Sequence, residues 1–198
     1  MATYYVHQSI GNDSNAGTVI TAPKETLTSA IAAATSDGDI IEIIDQGSYN
    51  EYGLEVEAND LTVHHTASNL GRPKIYTTVK GRWAFNANTN NKNGLTLKGL
   101  EMYYFTQDGV SSYGGLVDCR DGVTGITIED CFAHQISFVN AGEFGGSSEA
   151  TAANIKKSII YIDERGSASS IITQNSGWLN IENCLITSSG GRSYANQP

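Results

Sequence analysis

Acidic side chains are the groups in this sequence that could act as general acids, bases or nucleophiles. Acid–base catalysis needs such carboxylates clustered on one face of the protein. Six acidic residues are the candidates: Asp118, Asp121, Glu129, Asp130, Asp163 and Glu164. Turns or corners are predicted at Asp118, Asp121 and Asp130, because an Asp side chain readily hydrogen-bonds the nearby backbone. We therefore predict turn-forming roles and no catalytic residue.

Histidines and an oxygen-rich loop are the candidate metal ligands. His64 and His65 are adjacent in a strand-like segment, so their side chains would point to opposite faces and could not both bind one metal. A surface or core-edge role is predicted for them and for His134. The run Asn-Asp-Ser-Asn at 12–15 has oxygen donors for calcium but lacks the spacing and terminal Glu of an EF-hand loop. We predict a plain turn there, and no metal or cofactor in the chain.

Aromatic residues are the candidates for sugar binding. The chain has ten tyrosines, and an aromatic group lies close together in sequence: Tyr103, Tyr104, Phe105 and Tyr113. On the surface such rings could stack against sugars, whereas inside a protein they form ladders that contribute to the core. The prediction is that they form ladders inside the fold.

A sequence pattern that occurs four times indicates the structural elements that would position these side chains. Each copy has alternating apolar residues, then a corner residue, then a small or apolar residue, as in the segment Ile126-Thr-Ile-Glu-Asp-Cys131. The central apolar residues are Leu97, Ile128, Ile155 and Ile181, at spacings of 31, 27 and 26 residues. Such a period is typical of stacked units that bury one another's apolar faces. We predict that these four residues form one inward column of parallel strands.

Each repeat is predicted to be a strand that ends in a sharp corner. The alternation of apolar and polar residues has the period of a half-buried strand. Gly99, Asp130 and Asn183 follow it, and these residue types enter the left-handed backbone region at the least cost. Positive φ angles are therefore predicted at the three positions. The third repeat departs from the pattern, with Lys157 at its corner.

Matching positions in the repeats also align polar and sulfur side chains. Glu129 and Glu182 match, which favours a solvated ladder over a paired acid and base. Cys131 and Cys184 match too, but one repeat lies between them. Together with Cys119 they make an odd number, without the spacing of a zinc site. Free, buried thiols in a protein folded in a reducing compartment are predicted.

The rest of the sequence predicts an all-β solenoid with a short capping helix. Short apolar runs followed by turn residues lie between the repeats, and no long helical pattern interrupts them. One helix is predicted from four apolar residues on one face: Leu27, Ala30, Ile31 and Ala34. Residues 1–50 are predicted to be the N-terminal cap and residues 51–198 the coils. The coils are expected to continue or to dock on a partner, because no cap follows Ile186. A β-sandwich is the alternative, but it gives no reason for the regular corners.

Two groups of motifs resemble a known superfamily. The first is the N-terminal series Tyr4-Tyr5-Val6, residues 11–18, the Ala-rich helix, Gly38-Asp39-Ile40-Ile41 and Gly47-Ser48-Tyr49. The second is the repeat of the type Gly-Ile-Thr-Ile-Glu-Asp-Cys at 125–131. Together they resemble the right-handed parallel β-helix proteins of the pectate-lyase-like superfamily, which includes many bacteriophage spike and fibre proteins. The resemblance implies a single-stranded right-handed parallel β-helix and a homotrimer. It implies no single activity, because the superfamily hosts lyases, hydrolases, adhesins and structural parts.

The net charge and the absence of certain motifs narrow which of the superfamily's functions are expected of this chain. The net charge of −9 disfavours nucleic acid and anionic membranes as partners. The Trp-Ile-Asp-His and Arg-x-Pro-x-x-Arg signatures of the lyases are absent, and so is the Gly-His-Gly motif of the polygalacturonases. Neither a signal peptide nor a transmembrane stretch is predicted, which fits a virion protein made in the host cytoplasm and released by lysis.

The preferred hypothesis is therefore a structural or adhesive bacteriophage virion protein without catalytic activity. It would be a capsid decoration, tail or fibre component that binds other virion subunits or a host surface glycan. One alternative is a tailspike depolymerase, a lyase or hydrolase whose catalytic groups lie between subunits or in a further C-terminal part. Another is a bacterial surface adhesin or carbohydrate-binding solenoid.

Overall fold

The computed structural model describes residues 1–66, 71–77, 79, 83–87, 92–104, 115–118, 123–134, 153–162 and 179–188. Within these ranges the chain forms one helix, α1 (Leu27–Ala33), and sixteen strands. The strands in chain order are β1 (Thr3–Val6), β2 (Ile40–Ile43), β3 (Ser48–Asn50), β4 (Leu54–Glu55), β5 (Thr62–His64), β6 (Lys74–Thr77), β7 (Trp83–Asn86), β8 (Thr96–Lys98), β9 (Glu101–Tyr104), β10 (Gly115–Asp118), β11 (Thr127–Glu129), β12 (Phe132–His134), β13 (Ala153–Lys156), β14 (Ile159–Ile162), β15 (Leu179–Glu182) and β16 (Leu185–Ser188).

These strands form three sheets in which every described pairing is parallel. Sheet A has the order β1-β2-β5-β8-β11-β13-β15, sheet B the order β16-β14-β12-β9-β6-β3, and sheet C the order β10-β7-β4. From β5 to β10 the chain forms one strand of sheet A, one of sheet B and one of sheet C in turn, and then repeats this order. From β11 to β16 the described strands alternate between sheet A and sheet B. The described part of the protein is therefore an all-β arrangement of parallel sheets with one helix, and the antiparallel pairings of a sandwich do not occur among its strands.

The four repeats lie in register in sheet A, as predicted. Leu97 pairs with Ile128, Ile128 with Ile155, and Ile155 with Ile181. The first three are buried, whereas Ile181 is 43% exposed on the last described strand of the sheet. The column is thus confirmed at all four positions, and its burial at three. Alternation of apolar and polar residues aims this column at the core and Thr96 and its equivalents outward.

The predicted corners are also confirmed. The φ angles are 70° at Gly99, 51° at Asp130 and 53° at Asn183. Lys157, the residue that departs from the pattern, has φ 50° and the same conformation. Its backbone N–H donates to the carbonyl of Glu182 in the next repeat at 2.9 Å. The N–H groups of Gly99 and Asp130 likewise donate to backbone carbonyls of the repeat that follows each of them. These hydrogen bonds offset the left-handed strain, so a lysine is tolerated at the corner.

A second row of left-handed residues, which the sequence analysis did not predict, lies where the chain enters sheet A. Asp60, Gly94 and Gly125 have φ angles of 55°, 78° and 73°. The N–H of Asp60 donates to the carbonyl of Asn93 at 2.8 Å, and that of Gly94 to the carbonyl of Thr124 at 2.9 Å. Strands β8 and β11 therefore begin as well as end at a left-handed corner.

A ladder of side-chain oxygens accompanies this second row. The Oδ1 atom of Asp37 accepts the N–H of Asn59 at 2.9 Å, Oδ1 of Asn59 accepts that of Asn93 at 3.1 Å, and Oδ1 of Asn93 accepts that of Thr124 at 2.7 Å. The hydrogen bonds from Asn59 also hold the pKa of Asp37 below its ordinary value. The ladder links successive repeats at the surface and fixes their register.

Helix α1 lies at the predicted residues and packs on β1 and β4. Thr26 is its N-cap and accepts the N–H of Ser29 at 3.1 Å. The carboxylate of Glu51 accepts the N–H groups of Leu27 at 2.9 Å and Thr28 at 2.7 Å, so it satisfies two free donors of the first turn. These contacts tie the helix to the loop between β3 and β4.

Candidate functional site

The N-terminal loop that could have held calcium contains a buried ammonium group instead. Lys24 is only 6% exposed, and its Nζ donates to the carbonyls of Asp13 at 3.2 Å and Asn15 at 2.9 Å and to the Ser29 hydroxyl at 3.1 Å. The N–H of Ser14 donates to Oδ1 of Asn12 at 2.9 Å, which is the predicted Asx turn. The oxygen donors of this loop thus serve a lysine and the backbone.

Asp13 supports the same loop by capping the segment before α1. Its Oδ1 accepts the N–H groups of Glu25 at 2.9 Å and Thr26 at 3.0 Å, and its Oδ2 accepts the Thr26 hydroxyl at 2.9 Å. Burial acts to raise the pKa of Asp13, but these hydrogen bonds and the charge of Lys24 outweigh it and leave the pKa below its ordinary value.

Replacing Lys24 by Met should test this assignment. The substitution keeps the apolar stem but leaves the carbonyls of Asp13 and Asn15 without their donor in a buried place. We expect a loss of about 1–3 kcal/mol in the free energy of unfolding, measured by urea denaturation. Lys98→Met is the matched control, because an exposed ion pair contributes about 0.2–1 kcal/mol. A loss at Lys24 no larger than at Lys98 would contradict the assignment.

The outer face of sheet A carries a column of alternating charge. Its members, in register from β2 to β15, are Glu42, His64, Lys98, Glu129, Lys156 and Glu182. Lys98 Nζ lies 3.6 Å from Oε1 of Glu129, and Lys157 Nζ lies 3.5 Å from the same atom. Glu129 and Glu182 do match in position, as predicted, and Lys156 stands between them. The two carboxylates therefore belong to a mixed ladder rather than to an adjacent pair.

The other acidic candidates are only partly within the described structure. Asp130 lies at its predicted corner and forms an ion pair with Arg72, whose Nη2 is 2.5 Å from Oδ1. Asp118 is the last residue of β10, and its side chain is outside the described atoms. Asp121, Asp163 and Glu164 lie outside the described residues.

The adjacent histidines separate as predicted. His64 lies on the outer face, where burial and the charge of Lys98 lower its pKa against the opposing effect of Glu42. His65 is buried, and its Nδ1 lies 2.7 Å from the carbonyl oxygen of Ile43. His134 lies on β12, in sheet B. Among the described residues no group of three His, Cys, Asp or Glu side chains could hold a metal ion.

Two of the three cysteines are free thiols, as predicted. Cys131 and Cys184 lie in one column, and Ser158 stands between them. Burial raises the pKa of the Cys131 thiol to about 12, so it remains protonated and packs as a small apolar group. Cys184 is partly exposed, and Cys119 lies outside the described residues.

The prediction that the aromatic residues lie inside the fold is wrong for Tyr103, which lies on the outer face of sheet B. The inward column of this sheet is Tyr49, Ile75, Met102, Ala133 and Ile160, all buried. Tyr103 follows Met102 on the strand, so it points outward, and it is in register with Tyr76. The pair Tyr76 and Tyr103 therefore lies on the outer face of the sheet rather than inside. Phe105 and Tyr113 lie outside the described residues, as does the side chain of Tyr104.

Tyr103 is held by three neighbours on this face. Its hydroxyl donates to the carboxylate of Glu101, and its ring meets that of Phe132 edge to face, with centroids 6.2 Å apart. Lys74 Nζ lies 5.4 Å from the Tyr103 ring centroid, within cation–π range. Burial, the hydrogen bond to Glu101 and the charge of Glu101 raise the pKa of Tyr103 to about 12. The phenol therefore stays neutral and hydrogen-bonded over the physiological range.

Comparison with known proteins shows a similarity in fold. No family model and no curated protein matches the chain. Two crystal structures of GH136 lacto-N-biosidase from Eubacterium ramulus are similar, each with 14% identity. The selenomethionine derivative has a TM-score of 0.55 over 94% of this chain, and the native protein 0.56 over 93%. This chain spans only 34% and 40% of those two chains, and at such identity the likeness shows the fold alone. No described helix is long and apolar enough to cross a membrane.

Proposed function

We propose that the chain is a right-handed parallel β-helix that serves as a structural or adhesive part of a bacteriophage virion, without catalytic chemistry of its own. The observation that carries the proposal is the unbroken parallel register of sheet A, seven strands deep, with sheet B beside it. A stack in which each strand pairs only with its neighbours in the preceding and following repeat suits an elongated, rigid part.

The contacts between repeats support a mechanical role. Backbone hydrogen bonds at the left-handed corners run from one repeat to the next, from Gly99 to Glu129 at 3.1 Å and from Asp130 to Lys156 at 3.0 Å. The side-chain ladder that begins at Asp37 does the same at the other end of the strands. Both rows therefore tie successive repeats together.

The environments of two acidic candidates favour structural roles for them. Glu129 lies between the ammonium groups of Lys98 and Lys157, and Asp130 pairs with Arg72. A catalytic acid or base must exchange a proton with a substrate, whereas these two carboxylates are held in ion pairs within the stack. Glu129 and Asp130 are thus better suited to holding the stack than to proton transfer.

The partners and location follow from the resemblance to bacteriophage spike and fibre proteins. We propose a homotrimer that binds other virion subunits and is assembled into the virion. Nucleic acid is disfavoured as a partner because the net charge is −9.

A glycan depolymerase is the second candidate, and the fold likeness to a lacto-N-biosidase favours it. Of the six candidate carboxylates, Asp118, Asp121, Asp163 and Glu164 would be the ones to supply its catalytic groups, unless these lie between subunits or in a further C-terminal part. A pair of them would need a separation of roughly 5–10 Å across a glycosidic bond.

One experiment separates the two candidates. We expect the purified 198-residue chain to release neither reducing ends nor unsaturated sugars from host capsular polysaccharide, and peptides of the chain to be present in purified virions. Sedimentation velocity should give a trimer. Release of reducing ends that is lost in Asp118→Asn or Asp163→Asn would overturn the proposal in favour of the depolymerase. Absence of the chain from virions would exclude the virion role.

A further inference from the structure

The two large outer faces of the protein differ in what they offer to a partner. On sheet A lysines and glutamates occupy successive positions of the outer column, and Lys98 and Glu129 form an ion pair. On sheet B two outward columns carry tyrosines and large apolar side chains. Ile159 is 42% exposed and Leu185 59% exposed, although both lie within regular strands. Among the described residues, sheet B is therefore the outer face with exposed large apolar side chains.

The register brings the aromatic residues of this face into one strip. Tyr76 and Tyr103 are paired in β6 and β9, and Tyr161 lies in the same column two strands further on, after His134. The neighbouring column has Phe132, followed by Ile159 and Leu185. We call these residues the tyrosine strip: Tyr76, Tyr103, Phe132, Ile159, Tyr161 and Leu185.

Polar side chains stand directly beside the rings of the strip. Lys74 and Glu101 lie in the same column as Phe132, and both contact Tyr103. The hydroxyl of Tyr103 is fixed by Glu101 and its ring by Phe132, so the ring is preorganised and little side-chain entropy remains to be lost on binding.

We propose that the tyrosine strip binds a glycan chain of neutral hexose or N-acetylhexosamine units that lies along the stack of strands. The apolar C–H face of a pyranose packs on aromatic and aliphatic side chains, while its hydroxyls require donors and acceptors such as Lys74 and Glu101. Neighbouring strands are roughly 4.8 Å apart, comparable with the length of one pyranose ring, so successive sugars would meet successive strands. The inference rests on the proposed adhesive function and names its ligand.

The composition of the strip favours a glycan over a second copy of the chain. A stable protein interface buries roughly 800 Å² on each partner and has few charges at its centre. Among the described side chains of the strip, the exposed aliphatic ones are Ile159 and Leu185, and the charged pair Lys74 and Glu101 flanks the central tyrosine. An aromatic surface with charged hydrogen-bonding groups beside it matches a ligand rich in hydroxyls.

The test uses the full chain with cellohexaose, chitohexaose and lacto-N-tetraose as probes, in isothermal titration calorimetry and saturation-transfer NMR. We expect at least one of them to bind, and Tyr103→Ala and Tyr161→Ala to weaken that binding about tenfold or more. Tyr5→Ala is the matched control, because Tyr5 is an outward tyrosine of sheet A in register with Glu42; it should change the affinity less than twofold. Leu185→Ser, at an exposed position, provides a variant whose folding is least at risk.

Two results would overturn the inference. The first is that none of the three oligosaccharides binds at millimolar concentration, or that binding is the same in Tyr103→Ala, Leu185→Ser and Tyr5→Ala. The second is self-association in sedimentation velocity that Leu185→Ser abolishes, without glycan binding, because the strip would then be an interface between copies. Incorporation into virions and the lack of cleavage are measured separately. A lack of glycan binding by the strip would therefore not contradict the virion role. Glycan cleavage would refute the proposed function without contradicting glycan binding by the strip.

Discussion

Ile128→Asp is expected to leave the chain unfolded. Ile128 is 3% exposed and lies between Leu97 and Ile155 in the inner column of sheet A. An Asp there would bury a carboxylate among aliphatic side chains with no partner, at a cost of at least several kcal/mol. Native proteins have a total stability of about 5–15 kcal/mol, and the lost apolar packing adds to the cost.

The same column supplies a matched control for this substitution. Ile181 occupies the equivalent position on β15 but is 43% exposed, so Ile181→Asp can keep its carboxylate in water. We expect Ile181→Asp to retain a β-sheet circular dichroism spectrum and a cooperative thermal transition, and Ile128→Asp to lose both. Equal behaviour of the two variants, whether folded or unfolded, would contradict the inner position assigned to Ile128.

The register of sheet A could be predicted because burial imposes a strict alternation there. One face of each strand is apolar and the other polar, so a shift by one residue would turn Leu97 and its equivalents into water. The corners after the strands could be predicted because Gly, Asp and Asn are conspicuous at positions that need φ above zero. Lys157 shows that the backbone hydrogen bonds, not the residue type alone, impose that conformation.

The second row of corners was missed although its signal is in the sequence. The pairs Asp37-Gly38, Asn59-Asp60, Asn93-Gly94 and Thr124-Gly125 each precede a strand of sheet A. Their first members build the ladder of side-chain oxygens, and their second members have positive φ. The match was missed because only two of the four repeats aligned by their strands have it: Ala152 and Trp178 occupy the equivalent position in the other two.

The tyrosine strip could not be predicted because sheet B lacks the polarity difference that marks sheet A. Met102 and Tyr103 are both large and largely apolar, so the sequence does not show which of them points inward. The structure settles the direction through register with buried Ile75 and Ala133.

The hydrogen bonds of Lys24 to the oxygen-rich loop at 12–15 could not be predicted either. Lys24 is distant from the loop in sequence, and its ammonium group contacts the carbonyls of Asp13 and Asn15 only after folding.

Gly99→Val should destabilise the protein more than the same change at another left-handed glycine. Gly99 has φ 70°, and a Cβ there would lie 2.5 Å from the backbone carbonyl oxygen of His65. Gly53 has φ 64°, but a Cβ there would meet nothing within 4 Å, so Gly53→Val reports the left-handed strain alone. We expect a loss of about 1–2 kcal/mol at Gly53 and of about 3 kcal/mol or more at Gly99, where displacing the neighbouring repeat adds an overpacking cost. Urea denaturation of both variants measures the difference, and equal losses would show that the repeats at this corner are less closely stacked than the His65 contact requires.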